Sequence, residues 1–356
     1  MWYFLPGLIA GALGALFLFS PAPAVEIGPA WWGAVKNLGA VEKSPLKGSK
    51  PLFFVKANEQ DYFLLKSNGE VSVSGSVTDG LSAFSGDGRF YVKYQKVGHA
   101  IEFFNAKGDR FWKLDSMEYP YLSHGGKVII LMNGDQSGIR MVDYNGNLAG
   151  IRISGRTCTA VAFSDRGDYG AVGFLDGSYY FVDQKGKVIH YGMTPKMTVV
   201  KGLAVAAGGS YGAVHYGDSG KDFLRVVEIE SGHNGETELA HAHAVRTSLH
   251  VRGDGSCAVI DVDRILRVSP SGSVKMNIAV PPKRPGHSSV SFDNGLYAAS
   301  YTMQSGASKI LLFREDGTVL FSREYPAEAF LDAAVRDNLL FLRGSDNVFC
   351  YGLRGL

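Results

Sequence analysis

Three histidines lie close together in the chain, and two of them have a spacing that would allow both side chains to bind one metal ion. His241, His243 and His250 occur in the segment AHAHAVRTSLH. Side chains two positions apart on an extended strand point to the same side, and imidazole nitrogens are common ligands of Zn²⁺. No carboxylate or cysteine stands at a matching local offset. We therefore predict surface histidines here and no metal site.

Aspartates are concentrated in short links between the predicted strands. They are Asp176, Asp218, Asp222, Asp261, Asp263 and Asp346. Turns favour Asp, so ordinary turn chemistry explains these positions. A pair such as Asp261 and Asp263 could alternatively act as acid and base or bind calcium, but the DxDxDG ligand pattern is missing around it. A basic segment, PPKRPGH at 281–287, adds Arg284 and His287 to the same predicted surface.

Motifs for nucleophilic or phosphate chemistry are weak. GGSYG at 208–212 matches GxSxG, but that motif needs a strand-to-helix turn, which an all-β chain does not supply. GALGAL at 11–16 has no surrounding βαβ unit, and no Walker or zinc-protease motif occurs. We therefore predict no catalytic residues, and an enzyme is the less favoured interpretation.

A regular series of glycine turns indicates the elements that position these side chains. The turns recur at intervals of 38, 41, 42, 46 and 40 residues. Their glycines are Gly88, Gly126, Gly167, Gly209, Gly255 and Gly295, with weaker members near Lys50 and Asn338. A repeat of this length, built from short apolar runs between tight turns, is typical of β-propellers.

A second glycine series runs in step with the first and marks hairpins. Its glycines are Gly69, Gly108, Gly146, Gly186, Gly272 and Gly317, and the longer segment ESGHNGETEL takes the place of one member. Asn-Gly and Asp-Gly between apolar runs are strong hairpin signals. Each repeat therefore contains four strands, A to D, and eight A–B turns predict eight blades, or seven if the turn near Lys50 is false.

The last repeat ends after its third strand. We predict that the connector around Trp31–Asn37 supplies the missing strand and closes the ring, because closure leaves no long exposed sheet edge. The predicted organisation is a signal peptide or membrane anchor at 1–24, a connector at 25–49 that partly closes the last blade, and an all-β propeller at 50–356.

The repeats resemble those of the bacterial WD40-like and PQQ-like β-propellers. The resemblance rests on SDRGDYGAV followed by VDQKGKV within 164–188, and on the echoes MVDYNGNL and LFREDGTVL. It implies the fold and says nothing about activity. The Trp-Asp dipeptide of WD40 blades is missing, and so is the tryptophan that closes each repeat of PQQ-binding dehydrogenases. We therefore predict no cofactor.

The N-terminal segment predicts a membrane address. Trp2 to Phe19 carry no charge and are predicted to form one hydrophobic helix, and APA at 22–24 suits a signal peptidase. We favour a propeller outside the cytoplasm, periplasmic or at the cell surface, either anchored through residues 2–19 or secreted. The alternative is the cytoplasmic face of the membrane, because the nearest basic residue, Lys36, lies on the C-terminal side of the segment.

Charge and composition narrow the function. Lys and Arg number 36 against 34 Asp and Glu, too balanced for a nucleic-acid-binding protein. The three cysteines are far apart and predict buried apolar positions. We predict a non-enzymatic scaffold that binds a protein partner, membrane-associated or extracytoplasmic. The alternative is an extracytoplasmic propeller enzyme, hydrolase- or lactonase-like or a cofactor-dependent dehydrogenase, with its site at the channel mouth.

The predicted partner-binding surface combines acidic, basic and histidine side chains at one end of the ring. Its residues are Asp218, Asp222, Asp261, Asp263, His241, His243, Arg284 and His287. Connections on a rigid scaffold are where binding residues usually gather.

Overall fold

The glycines of both series have left-handed backbone conformations in a computed structural model of the protein, which describes residues 25–40, 51–244, 246–326 and 331–355. Their φ angles lie between 62° and 92°. Gly232, in the longer segment that replaces one hairpin, has a φ of 73°. Because only glycine adopts these angles without strain, the spacing of glycine fixes the spacing of the turns.

The described residues form 31 strands. In chain order they are Glu26–Ala34 (β1), Pro51–Lys56 (β2), Asp61–Lys66 (β3), Val71–Ser76 (β4), Leu81–Phe84 (β5), Phe90–Tyr94 (β6), Ala100–Asn105 (β7), Arg110–Asp115 (β8), Tyr119–Leu122 (β9), Ile129–Met132 (β10), Gly138–Val142 (β11), Leu148–Ser154 (β12), Cys158–Phe163 (β13), Tyr169–Phe174 (β14), Ser178–Asp183 (β15), Val188–Met193 (β16), Val199–Val205 (β17), Tyr211–Gly217 (β18), Asp222–Glu228 (β19), Asn234–Glu238 (β20), Leu249–Val251 (β21), Cys257–Ile260 (β22), Arg264–Val268 (β23), Val274–Ala279 (β24), Lys283–Asp293 (β25), Leu296–Met303 (β26), Ser308–Arg314 (β27), Val319–Tyr325 (β28), Asp332–Arg336 (β29), Leu339–Arg343 (β30) and Asn347–Arg354 (β31).

These strands form eight antiparallel sheets, each the blade of a propeller, so the predicted all-β fold and the count of eight are confirmed. Blade 1 contains β2 to β4, and blades 2 to 7 take the following strands in groups of four. Blade 8 contains β29, β30, β31 and β1. Blade 1 has three strands among the described residues, and the predicted turn near Lys50 lies outside them.

The N-terminal strand closes the ring. β1 pairs antiparallel with β31 from Glu26 opposite Arg354 to Ala34 opposite Asn347. The closing strand therefore begins and ends earlier than the predicted Trp31–Asn37. Trp31 turns inward against Phe341 and donates a hydrogen bond from Nε1 to the carbonyl of Ser67 in blade 1 at 2.7 Å, so it links blades 8 and 1.

The hydrophobic core lies between neighbouring blades. Ile130 and Met141 of blade 3, for example, belong to the same buried cluster as Val172 and Phe174 of blade 4. All three cysteines are buried in strands, as predicted, and burial raises the pKa of Cys158 to about 11. Each blade thus contributes both faces to packing and depends on its two neighbours.

Buried serines organise the A–B turns of blades 2 to 4. The hydroxyl oxygens of Ser85, Ser123 and Ser164 each accept the backbone N–H five residues further on, at 3.1, 2.9 and 3.1 Å. The Ser123 hydroxyl also donates to the carbonyl of Gly167 at 2.9 Å, which ties blade 3 to the turn of blade 4. A Cβ atom at Gly167 would overlap the backbone of His124, so this turn also needs glycine for space.

Helical structure is confined to short 3₁₀ turns in the described residues. They are Val35–Ala40, His124–Gly126 and Pro195–Met197. Within this part of the chain there is no helix with the length and apolar character needed to cross a membrane. The predicted helix from Trp2 to Phe19 lies outside the described residues.

Candidate functional site

The B–C links and the D–A connections of an antiparallel blade leave the sheet at the same end. In blades 5 and 6 this end holds the link between β18 and β19, the link between β22 and β23, and the connection from β20 to β21. Most residues of the predicted partner-binding surface belong to these three segments. We call the five side chains that meet beneath them the inter-blade cluster: Lys201, His215, Asp222, His243 and Asp261.

Asp222 is the centre of this cluster in blade 5. Its Oδ1 accepts a hydrogen bond from Lys201 Nζ at 2.6 Å, and its Oδ2 lies 2.7 Å from His215 Nε2. Lys201 occupies a bulge in β17, where the pairing with β18 shifts by one residue. A bulge re-aims a side chain, and this one directs the ammonium group towards Asp222.

His243 connects the two blades. Its backbone N–H donates to Asp222 Oδ2 at 2.8 Å, while its ring Nε2 lies 2.8 Å from Asp261 Oδ1 in blade 6. Asp261 Oδ1 also accepts the backbone N–H of Val262 at 2.8 Å. The connection that leaves blade 5 is therefore held to the carboxylates of both blades.

A second group lies at the solvent-facing edge of the cluster, and we call it the rim group: His241, Asp263 and Arg264. The Arg264 guanidinium donates to both oxygens of Asp263, with Nε 2.8 Å from Oδ1. His241 Nδ1 lies 3.8 Å from Asp263 Oδ1 and 3.8 Å from Asp261 Oδ1. The side chains of His241 and Asp263 are 40% and 35% exposed, so the rim group is open to solvent.

Burial and hydrogen bonding shift the ionisation of the cluster. Burial lowers the pKa of His215 and favours its neutral form, despite the neighbouring Asp222 carboxylate. Burial alone would raise the pKa of Asp222, but hydrogen bonds from His215, Lys201 and the His243 amide outweigh it, and the pKa is lowered. The same balance, with His243 as the first donor, lowers the pKa of Asp261. Both carboxylates are therefore charged at neutral pH.

A buried lysine completes the polar environment. Lys283, at the start of β25, donates from Nζ to the carbonyl of Ile260 at 2.7 Å. Burial lowers the pKa of Lys283 to about 8, although the nearby Asp261 carboxylate acts in the opposite direction. The negative charge of the cluster is thus balanced by lysine on two sides.

The structure corrects two predictions about burial. His243 and His250 are buried, so the interpretation of all three histidines as surface residues is wrong for these two. Asp222 and Asp261 are also buried, so turn chemistry alone does not account for them. Sequence spacing missed this because the partners of each carboxylate come from another strand or the neighbouring blade.

The histidines also differ from their predicted arrangement. His241 and His243 lie on an irregular connection rather than on a strand. Both rings approach the same oxygen, Asp261 Oδ1, at 3.8 and 2.8 Å, but His243 is buried whereas His241 is partly exposed. His250 is in β21, the innermost strand of blade 6, where its Nδ1 lies 3.8 Å from Asp165 Oδ2 of blade 4. It therefore belongs to the interior of the ring and not to the cluster.

Three of the predicted residues belong to neither the inter-blade cluster nor the rim group. Asp218 is exposed, and its Oδ1 accepts the backbone N–H groups of Gly220 and Lys221 at 2.7 and 3.0 Å. Arg284 is exposed. His287 Nε2 lies 2.6 Å from Asp332 Oδ1, in a separate group between blades 7 and 8 that also includes Arg343.

Sequence reasoning missed several participants, namely Lys201, His215, Arg264, Lys283, Asp332 and Arg343. His215 had a usable signal: it interrupts the apolar strand YGAVHYG, and a polar side chain in a buried strand needs a partner. Its partner Asp222 is the first residue of the next strand, β19. Lys201 had no such signal, because the direction of its side chain depends on the bulge in β17, which the sequence pattern does not reveal.

The arrangement contains parts of a catalytic triad. Thr247 Oγ1 lies 3.3 Å from His243 Nδ1, and His243 Nε2 faces Asp261, which gives the order hydroxyl, imidazole, carboxylate. Thr247 is only 6% exposed, however, so a substrate carbonyl has no access to its hydroxyl. The geometry therefore favours a structural role for these three residues.

Two groups in the described residues place three potential metal ligands within 4.8 Å of one another. The first is His215, Asp222 and His243, all buried, and the second is His241, Asp261 and Asp263, at the edge. The sequence had offered no carboxylate near the histidines. Asp222, at the start of β19 in blade 5, supplies the carboxylate of the first group, and the B–C link of blade 6 supplies both carboxylates of the second.

Comparison with known proteins identifies the fold. No protein-family model matches the sequence, and no curated protein matches it. Among solved structures, the chain is similar to BamB from Moraxella catarrhalis, with a TM-score of 0.55 and 12% identity over 88% of this chain and 98% of that one. It is also similar to the C-terminal WD40 domain of Sif2, with a TM-score of 0.58 and 11% identity over 83% and 90%.

A third similarity is to a chain from a mitotic checkpoint complex, with a TM-score of 0.53 and 13% identity over 87% of this chain and 95% of that one. These similarities agree with the resemblance seen in the repeats: the chain has the fold of the WD40-like and PQQ-like β-propellers. Identities this low carry the fold alone.

Proposed function

We propose that the protein is a non-enzymatic scaffold that binds a protein partner through the B–C and D–A end of blades 5 to 7. The observation that carries the proposal is the inter-blade cluster. His243 and the two buried carboxylates lie beneath the B–C links of blades 5 and 6 and the connection between these blades. Their hydrogen bonds hold these three surface segments in fixed positions relative to one another. A surface that is already ordered loses little entropy when a partner binds, which favours affinity.

The exposed residues above the cluster are the ones available to a partner. Asp218, His241, Asp263 and Arg284 stand at this end with part or all of their side chains in solvent. They present both signs of charge, as complementary interfaces do. Asp222, Asp261 and His243 are buried, so we assign them the role of supporting this surface. His287 lies in the separate group between blades 7 and 8, where its Nε2 is 2.6 Å from Asp332 Oδ1.

The test is capture of the full chain from its native membranes, comparing wild type with Asp218→Lys and with Arg284→Glu. The control is Asp316→Lys. Asp316 is also an exposed aspartate that accepts a backbone N–H in its turn, at 2.8 Å from Thr318, but it lies in a C–D hairpin at the opposite end of the blades. We expect a partner that is retained by wild type and the control and lost from the other two variants. Equal retention by all four proteins would reject this surface.

We further propose that the propeller lies outside the cytoplasm, anchored by or processed behind residues 1–24. The uncharged run from Trp2 to Phe19 and the APA sequence at 22–24 support this placement. C-terminal fusions to one reporter active only outside the cytoplasm and to another active only inside will decide it. Activity of the cytoplasmic reporter alone would establish the opposite orientation.

A further inference from the structure

We propose that the rim of the inter-blade cluster is a binding site for a divalent transition metal, with His241 Nδ1, Asp261 Oδ1 and Asp263 Oδ1 as ligands. This inference goes beyond the proposed scaffold function and does not depend on it. The three residues come from the connection after blade 5 and the B–C link of blade 6. The mixed imidazole and carboxylate set suits Zn²⁺.

The spacing of the three atoms is that of ligands around one ion. His241 Nδ1 lies 3.8 Å from each carboxylate oxygen, and all three atoms are within 4.8 Å of one another. Two ligands of a tetrahedral Zn²⁺ are about 3.4 Å apart, since each is about 2.0 to 2.2 Å from the ion. Each His241–carboxylate pair would have to close by a few tenths of an ångström, and the two carboxylate oxygens, which lie within 4.8 Å of each other, by up to about 1.4 Å.

The Nδ1 atom of His241 is an independent indication of a ligand. It is buried, yet it has no hydrogen-bond partner in the described part of the chain. A buried nitrogen without a partner costs free energy, and such groups in native proteins are often explained by an ion or water. Because the rest of the His241 ring is partly exposed, an ion can reach the site from solvent.

The surrounding contacts are those of a supported ligand set. His243 Nε2 and the Val262 amide both hold Asp261 Oδ1 in position, at 2.8 Å each. These hydrogen bonds fix the orientation of the carboxylate, but they also occupy lone pairs of Oδ1, so an ion must compete with them for this oxygen. Three protein ligands leave a fourth position open towards solvent, as in accessible zinc sites.

Arg264 competes with the ion. Its guanidinium donates to both oxygens of Asp263, so metal binding requires it to give up at least the bond to Oδ1. The Arg264 side chain is 32% exposed and is free to turn towards solvent. Its removal should therefore strengthen metal binding, whereas removal of a ligand should weaken it.

The deeper group of His215, Asp222 and His243 is not a comparable site. Lys201 Nζ stands 2.6 Å from Asp222 and already neutralises the carboxylate. All three side chains are buried, so an ion would have no path from solvent. His215 Nδ1 is also buried without a hydrogen-bond partner in the described part of the chain. The deeper group nevertheless differs from the rim, because the Lys201 ammonium group already stands at the Asp222 carboxylate.

The experiment measures binding of Zn²⁺ to the purified, metal-stripped full chain in detergent, by calorimetry and by competition with a chromophoric chelator. We expect one site per chain. His241→Ala and Asp263→Asn should each weaken binding by about tenfold or more. Arg264→Gln should tighten it. Co²⁺ should give visible absorption bands in wild type that are lost in His241→Ala, because those bands report the coordination of the ion.

The control variant is His233→Ala. His233 Nδ1 also lies near one carboxylate, 3.9 Å from Glu228, but it stands in the C–D link of blade 5 and has no second carboxylate in the same position. Thermal melts will verify that each variant is folded. Equal Zn²⁺ affinity in wild type, His241→Ala and His233→Ala, or weaker binding in Arg264→Gln, would overturn the proposal. Ca²⁺ that binds with the same affinity as Zn²⁺ would overturn the assignment to a transition metal.

Discussion

The ammonium nitrogen of Lys201 lies 2.6 Å from Oδ1 of Asp222, and the two side chains are 13% and 0% exposed. This pair is therefore an ion pair removed from water, unlike most ion pairs on protein surfaces. The energetics of such a pair are asymmetric: forming it adds little, but leaving one charge alone is costly.

Replacement of Asp222 should test this asymmetry. Asp222→Asn leaves the Lys201 ammonium without its counter-charge, and we expect a loss of about 3 to 5 kcal/mol in the free energy of unfolding. Chemical denaturation followed by tryptophan fluorescence will measure it. Asp218→Asn, in the same link but exposed, should have a much smaller effect. Equal effects of the two substitutions would contradict the buried ion pair.

The two tryptophans of the closing strand should differ sharply. Trp31 is 5% exposed and packs between blades 8 and 1, whereas its neighbour Trp32 is 63% exposed. Trp31→Ala should therefore cost about 3 to 5 kcal/mol in the free energy of unfolding, and Trp32→Ala should cost little. Thermal melts of both variants will check this. A loss of stability in Trp32→Ala alone would mean that the pairing of β1 is shifted by one residue, which exchanges its inward and outward faces.

A turn can require glycine either for its positive φ angle or because a Cβ atom would have no space. Substitution of Gly108 tests the first requirement alone, and substitution of Gly167 tests both. Both have positive φ, 74° and 92°, but a Cβ atom would meet the His124 backbone at Gly167 and nothing within 4 Å at Gly108. Gly108→Ala should lose about 1 to 2 kcal/mol of stability through backbone strain. Gly167→Ala should lose more, because blade 3 must also move. Comparison of the two unfolding curves gives the cost of the overlap, and identical curves would show that none exists.

The group between blades 7 and 8 predicts an acid-sensitive contribution to stability. Burial would raise the pKa of Asp332, but the His287 hydrogen bond and the Arg343 guanidinium outweigh it and lower the pKa below its ordinary value of 3.8. A lowered folded-state pKa gives stability that is complete above the unfolded-state value and is lost as the pH falls through the folded-state value.

Wild type should therefore be more stable than Asp332→Asn at neutral pH, and the difference in melting temperature should shrink as the pH falls below about 4. Melts of both proteins between neutral pH and the acid limit of folding will measure it. Asp316→Asn, at an exposed turn, serves as the control for a general acid effect. A difference that stays constant down to the acid limit would contradict the lowered pKa.

The architecture was readable from the sequence because its cause is local. A turn glycine such as Gly186 needs positive φ whatever surrounds it, so its spacing along the chain carries the repeat length and the blade count. The strands between the turns then follow from apolar residues in short runs. Even the closing strand could be anticipated, from a last repeat that lacks its fourth member.

The site was readable only in part because its causes are not local. Aspartate in a link looks the same whether it is exposed, like Asp218, or buried, like Asp261. Asp261 is bound by His243 from the connection that leaves the preceding blade. Asp222 is bound by Lys201, whose bulge has no counterpart in the sequence pattern. Five predicted residues do meet, and three, Asp218, Arg284 and His287, lie apart from them.

Pairing of the first described strand with the last one also constrains biosynthesis. β31 leaves the ribosome long after β1, so Glu26–Ala34 has no pairing partner until Asn347–Arg354 has been synthesised. Contacts between the two ends of a chain are the slowest to form, because the intervening loop must be closed first. Throughout that interval the nascent protein carries an unsatisfied strand and an inward-facing tryptophan, Trp31, in solvent. Premature release, or truncation before Asn347, would therefore leave the edge of β1 unpaired and prone to aggregation.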